Sequence, residues 1–153
     1  MSRPSVPALK ATALRLLAMR EHSREELRRK LEAKAEEGDD VEAVLDRMAE
    51  TGLQSDQRFA ESFVRSKGAR MGVERLRREL LDRGVSSEVV ATALGEGLED
   101  DELSRARAIW LKKFGVVPQD RGDWARQARF LQSRGFAADV IRKLLKEPFN
   151  EPA

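Results

Sequence analysis

The 153 residues carry 29 Lys and Arg against 27 Asp and Glu, a formal charge of +2, with 41% apolar and 37% charged residues and no cysteine. That balance allows a core beneath a heavily charged surface, excludes disulfide staples and thiolate metal sites, and supplies no global polycation. No stretch approaches the length of a membrane-spanning helix, and Met1–Pro7 lacks the apolar run of a signal peptide, so a soluble cytoplasmic protein is expected.

The predicted elements are all helices, since alternating apolar runs are missing and Ala, Leu, Glu and Arg dominate. The first runs over Ala8 to Arg20. Ser23-Arg24-Glu25-Glu26 is a capping box that opens the second, with Leu27, Leu31 and Ala35 on one face. Asp39 or Asp40 caps a third, with Val41, Val44, Leu45 and Met48, which stops at Gly52. The fourth starts at Ser55-Asp56, carries Phe59, Ala60, Phe63 and Val64, and ends near Gly68. A fifth shows Val73, Leu76, Leu80 and Leu81 as its apolar stripe and stops at Gly84. The sixth, Ser87 to Leu94, closes before Gly95-Glu96-Gly97. Asp101 to Phe114, Asp123 to Arg134 and Ala138 to Lys146 complete nine helices in three triplets.

The triplets echo one another. Leu80-Leu81-Asp82-Arg83-Gly84-Val85 through Val90 aligns with Leu131-Gln132-Ser133-Arg134-Gly135-Phe136 through Ile141, and Leu94 falls opposite Leu145. A looser third copy begins at Leu31 and reaches Val41 one residue late, through Gly38-Asp39-Asp40. Repeats of this length are supersecondary modules that bury their apolar faces by stacking. The expected fold class is all-α, with three tandem three-helix repeats forming an elongated, curved array. The expected repeats are residues 8–53, 54–98 and 99–147, between disordered tails at 1–7 and 148–153. Phe59, Phe63, Leu80, Trp110, Trp124 and Leu131 are expected in the core. Arg77 falls between Leu76 and Leu81 on the helical wheel, so either its stem packs while its head snorkels or pairs with an acid, or it points into a groove between repeats for a partner.

Catalytic chemistry is sparse. His22 is the one histidine, placed in a turn before a capping serine, and reads as a solvated loop residue. There is no cysteine or tyrosine, and Glu99-Asp100-Asp101 is better explained by a helix N-terminus than by a metal. No catalytic residue, metal or cofactor is expected. Charge, however, is unevenly placed. From Glu32 to Glu61 ten acids face three bases, while from Arg105 to Lys146 eleven bases face three acids. Arg65, Lys67, Arg70, Arg75, Arg77, Arg78 and Arg83 crowd around Gly72, opposed by Glu74, Glu79 and Asp82; base-rich helix ends near a loop suit phosphate contacts, and a solvated face of mixed charge accounts for them equally well. The corner from Glu79 to Ser86 also allows a helix-turn-helix, and with it sequence-specific DNA binding without a protein partner.

Taken in order, four stretches resemble the RecX regulatory family. They are Ser23-Arg24-Glu25-Glu26-Leu27-Arg28-Arg29-Lys30-Leu31, then Asp56-Gln57-Arg58-Phe59-Ala60-Glu61-Ser62-Phe63-Val64. Arg75-Leu76-Arg77-Arg78-Glu79-Leu80 with Arg83-Gly84-Val85 follows, and Phe130-Leu131-Gln132-Ser133-Arg134-Gly135-Phe136 closes the series. Each motif is weak alone; their order and spacing, over roughly Ala8 to Lys146, are specific. Leu76 stands where the family often has Ile, and Ala8-Leu9 lacks an aromatic often seen there.

The resemblance implies three tandem three-helix repeats and a regulator, not an enzyme. Such a regulator binds the RecA recombinase and its filaments on single-stranded DNA, limiting filament growth, ATP hydrolysis, strand exchange and the co-protease activity behind the SOS response. A monomer with weak sequence-independent DNA binding is expected. The residues expected at the filament or DNA are Arg65, Lys67, Arg70, Arg75, Arg77, Arg78, Arg126 and Arg129.

Overall fold

The structure, a computed structural model, describes residues 5–98 and 101–146. Among these it contains nine α-helices and no strand: α1 Ser5–Met19, α2 Arg24–Lys34, α3 Val41–Glu50, α4 Asp56–Lys67, α5 Val73–Asp82, α6 Ser87–Gly97, α7 Glu102–Lys113, α8 Arg121–Ser133 and α9 Ala138–Leu145. The chain forms two compact units. One comprises the chain up to Ser62 with Leu80–Ala93, and the other Phe63–Glu79 with the chain from Leu94 onward.

Capping chemistry sets most helix starts. Ser23 Oγ accepts from the Glu26 amide at 3.0 Å while the Glu26 carboxylate accepts from the Ser23 amide at 3.2 Å, completing the capping box on α2. Asp40, rather than Asp39, caps α3, accepting from the Ala43 amide at 3.1 Å. Asp101 caps α7 and Asp120 caps α8 in the same way.

Three boundaries differ from expectation by two residues or more. Helix α1 begins at Ser5, three residues early, because a proline at position 7 sits in the first turn, where no amide donor is needed. The rest of that expected tail, residues 1–4, lies outside the described residues, as do residues 148–153 of the other. Helix α6 runs through Gly95 to Gly97 instead of stopping at Leu94. A helical glycine costs only about 1 kcal/mol against alanine, and Val90, Ala93 and Leu94 are buried on that helix. Helix α8 starts two residues early, at Arg121, because Asp120 supplies the cap.

In the first unit α1, α2 and α3 pack pairwise around Leu9, Ala13, Leu27, Leu31, Val44, Leu45 and Met48. In the second, α9 packs on both α7 and α8 around Ala106, Leu131, Phe136, Ile141 and Leu145. Phe59, Phe63, Leu80 and Leu131 are buried as expected. Trp110 and Trp124 are half-buried, packed against the second cluster from its edge. Leu81 is exposed and leaves the stripe expected of it.

The echoed corners have the same backbone. Val85 donates its amide to the Leu80 carbonyl, and Phe136 to that of Leu131, each at 3.2 Å, while Gly84 and Gly135 take φ of +81° and +92°. Each is a helix end closed by a left-handed glycine. Each corner also seats on the start of an earlier helix. In the first unit, Ser23 Oγ donates to the Arg83 carbonyl at 2.7 Å, and a Cβ on Gly84 would lie 2.6 Å from Glu25 Cβ. In the second, Gly72 donates to the Arg134 carbonyl at 2.7 Å, and a Cβ on Gly135 would lie 2.2 Å from Arg75 Cβ. Gly38, in the looser copy, has φ +91° but nothing within 4 Å of the Cβ position.

Candidate functional site

The eight cations expected at the site all belong to the second unit. Arg65 and Lys67 stand on the last turn of α4 and Arg70 on the loop after it. Arg75, Arg77 and Arg78 lie on α5, and Arg126 and Arg129 on α8. They do not behave alike. Arg65, Arg70, Arg78 and Arg129 are exposed, and no carboxylate among the described residues pairs with them. Arg77 pairs with Glu74 one turn back, its head reaching solvent as its place on the wheel predicted. Arg126 pairs with Asp123 at 2.6 Å and lies over the Phe114 ring, holding the Asp123 carboxyl below its usual range. Arg75 is a packing residue as well as a cation. Its backbone abuts Gly135, its Nε donates to Glu79 at 2.8 Å and its Nη1 to the Ser133 carbonyl at 3.2 Å.

A second arrangement in the same unit brings in residues not expected at the site. A groove of about 520 Å³ runs between the loop after α4 and the C-terminal turns of α7 and α8, with Arg70, Lys112, Lys113 and Arg134 at its rim. Its floor is Ala69, Ala108, Ile109 and Phe130. No carboxylate lines it. Lys113 Nζ stands 5.3 Å and the Arg134 guanidinium 4.9 Å from the Phe130 ring centroid, within cation–π range. The Phe114 ring meets Phe130 edge-on at 5.4 Å. Only the Lys112-Lys113 pair and the spacing of Phe130 and Arg134 (one helical turn) hint at this groove in the sequence.

The acidic stretch is partly neutralised within its own unit. Arg28 and Arg24, on α2, both reach Glu42 of α3, at 2.7 and 3.2 Å. The Arg28 bond is the larger cause of a Glu42 carboxyl held down at about 2. Arg24 also pairs with Asp46 at 2.6 Å, and Arg28 with Glu25.

His22 is not solvated; it is 1% exposed. Its Nδ1 donates to the Arg20 carbonyl at 3.0 Å, so Nε2 accepts from the Lys30 ammonium at 2.9 Å. The sequence placed it in a turn, and only packing of that turn against the helices around it withdraws it from water. Burial lowers its pKa below 6.5, assisted by the charges of Arg20 and Lys30 and opposed by the Arg20 carbonyl and by Glu26. Between that lowered value and 6.5 the unfolded chain binds a proton that the native state refuses, so stability rises with pH there. The contribution is complete above about pH 6.5 and is lost as pH falls through the native pKa. Urea unfolding between about pH 5 and 8 should show this slope in the wild type. His22→Gln should flatten it; an unchanged slope would assign it to other groups.

Among the described residues no three His, Asp or Glu side chains are placed to hold a metal ion, and no helix is long and apolar enough to cross a membrane. What the second unit offers is four exposed guanidinium groups without a carboxylate partner and a groove rimmed by cations, chemistry that suits an anionic partner.

Comparison with known proteins gives the family. The first, second and third three-helix domains of RecX match residues 10–48, 55–94 and 99–145. The regulatory protein RecX of Chromobacterium violaceum is 47% identical over 138 residues, covering 90% of this chain and 89% of its own. That of Leptothrix cholodnii is 45% identical over 145 residues, covering 95% and 91%. A crystal structure of RecX from Lactobacillus salivarius superposes with a TM-score of 0.76 at 20% identity, over 94% of this chain and 96% of that one; this likeness speaks to the fold. Three matched domains in order, on an all-helical repeat fold with relatives alike along nearly their whole length, mean that this chain belongs to the RecX regulatory protein family.

Proposed function

We propose that this protein regulates the RecA recombinase. It binds RecA and its filaments on single-stranded DNA and inhibits filament growth, and through it ATP hydrolysis, strand exchange and co-protease activity. Family membership along nearly the whole chain carries this proposal. The protein acts as a cytoplasmic monomer, without catalysis of its own. In this scheme the unpaired cations of the second unit meet DNA phosphate or acidic filament surface, and the acidic stretch of the first unit meets protein. Complementary charge of this kind governs encounter and orientation more than final affinity, and exposed pairs are screened by salt.

The test is RecA ATPase on single-stranded DNA, with this protein added below one copy per RecA at two salt concentrations. Hydrolysis should fall at substoichiometric ratios, less so at the higher salt. Reversing Arg65, Arg70, Arg78 and Arg129 together to Glu should weaken inhibition about tenfold or more, at about 0.5 kcal/mol per contact. These four are chosen because, unlike Arg75, they hold no fold contact in place. Inhibition that survives the reversal would remove this surface from the mechanism. Inhibition seen only when the protein can coat the DNA would replace filament regulation with competition for DNA. A DNA-binding role without RecA is less well supported, because α6, which follows the Glu79–Ser86 corner, carries no Lys or Arg to read a groove.

A further inference from the structure

We infer that the groove between α7 and α8 is a docking site for an acidic protein segment that carries an apolar anchor residue. The proposal goes beyond the recombinase role and holds whichever protein supplies the segment. Its rim and floor make two separate demands on an occupant. The rim holds four cations, Arg70, Lys112, Lys113 and Arg134, and no carboxylate, so the occupant is anionic. The floor is aliphatic and aromatic carbon, Ala69, Ala108, Ile109 and Phe130, so the occupant also brings apolar surface to bury. At about 520 Å³ the groove accepts a side chain the size of Leu or Phe with the backbone on either side of it.

Both demands are built into the helices. Ala108, Ile109, Lys112 and Lys113 recur at one-turn spacing on α7, which ends at Lys113, so the two apolar floor positions are followed one turn later by two lysines. Phe130 and Arg134 repeat the pattern across the groove at the end of α8. Lysine at a helix C-terminus is also favoured by the helix dipole, which explains the cations on α7 but not a carbon floor left open between them.

A nucleic-acid strand meets the first demand and not the second. Single-strand sites combine cations with aromatic faces on which bases stack. Here Phe130 is the single ring in the groove lining, with Lys113 and Arg134 within cation–π range of it. Ala69, Ala108 and Ile109 offer no second ring. A carboxylate-flanked leucine or phenylalanine uses both features: the carboxylates pair with the rim, and the anchor covers the floor.

The experiment is fluorescence anisotropy with the full chain and three labelled probes. These are a short peptide with a central Leu flanked on both sides by Glu and Asp, the same peptide with that Leu replaced by Ser, and a thymidine oligonucleotide of equal charge. The leucine peptide should bind, and its serine counterpart should bind about tenfold or more weakly, the transfer free energy of one buried Leu. Lys112→Glu with Lys113→Glu should weaken the leucine peptide by about tenfold or more. Ala108→Trp, at an exposed helical position, fills the floor without removing a charge and should abolish the preference for leucine over serine. Circular dichroism of each variant establishes that the helices are intact. Equal binding of the two peptides would reduce the site to a charged patch and overturn the proposal. So would an absence of peptide binding, or tighter binding of the oligonucleotide that Ala108→Trp blocks. Because RecA is absent from every arm, these failures leave the ATPase test of the recombinase role untouched.

Discussion

Replacing Gly135 by alanine should destabilise the protein by about 3 kcal/mol or more, the largest effect expected of any single methyl group added to this chain. Two costs coincide there. The residue holds φ of +92°, a conformation that an L side chain adopts only under strain. The added Cβ would also lie 2.2 Å from Arg75 Cβ and 2.6 Å from the Arg75 amide nitrogen, with a backbone atom that cannot swing aside. Two other glycines separate the terms. Gly38→Ala carries the strain alone, at φ +91° with open space around the Cβ position, and should cost about 1 kcal/mol. Gly72→Ala carries the clash alone: its Cβ would meet the Gly135 carbonyl oxygen at 2.3 Å, and it has no positive φ. Urea unfolding of the three variants should rank Gly135 first, Gly72 next and Gly38 last. If Gly38 and Gly135 cost the same, the corner is not pressed against α5 and the close approach is wrong.

The second large effect concerns the leucines that the echo aligns. Leu31, Leu80 and Leu131 are each 0% exposed, and each closes the second helix of its triplet toward the core. Leu→Ala at such a site loses both transfer free energy and the contacts around the cavity, about 3 kcal/mol each. Leu81, one residue along and 43% exposed, should lose under about 1 kcal/mol on the same change. Thermal unfolding would read these as falls of roughly 4–8 °C per kcal/mol for units of this size. Similar losses at Leu31, Leu80 and Leu131 would establish that the three triplets use the position alike. A loss at Leu81 matching that at Leu80 would mean that the buried face of α5 has been misassigned.

Much of the fold was readable in advance because it rests on local rules. The capping box at Ser23, the acidic caps at Asp40 and Asp101 and the glycine stops at Gly84 and Gly135 are satisfied by residues within one turn. The boundaries that moved did so where a local signal was outweighed. Gly95 has the look of a stop, yet burial of Val90, Ala93 and Leu94 keeps α6 going.

The site was less legible. The positions of basic residues can be counted in the sequence, but not which of them are already engaged. Arg75 and Arg78 look equivalent, three residues apart on one helix. In the folded chain Arg75 packs under Gly135 and bonds to Ser133, while Arg78 is free in solvent. The basic groove is not written in neighbouring residues, because Arg70 and Arg134 are sixty-four residues apart and meet only through tertiary packing. The burial of His22 has the same origin, since a turn residue is solvated or buried according to what packs over it.

By itself the sequence determined an all-helical chain of three repeats and the family to which it belongs, because helix periodicity, caps and repeated motifs are written in neighbouring residues. Only the tertiary structure decided why the Arg-Gly corner is repeated so closely at Gly84 and Gly135 and so loosely at Gly38. The two close copies seat on the start of an earlier helix, where no side chain fits, whereas a Cβ at Gly38 would meet nothing within 4 Å. Such a contact joins residues some sixty positions apart, and no local propensity or spacing encodes it.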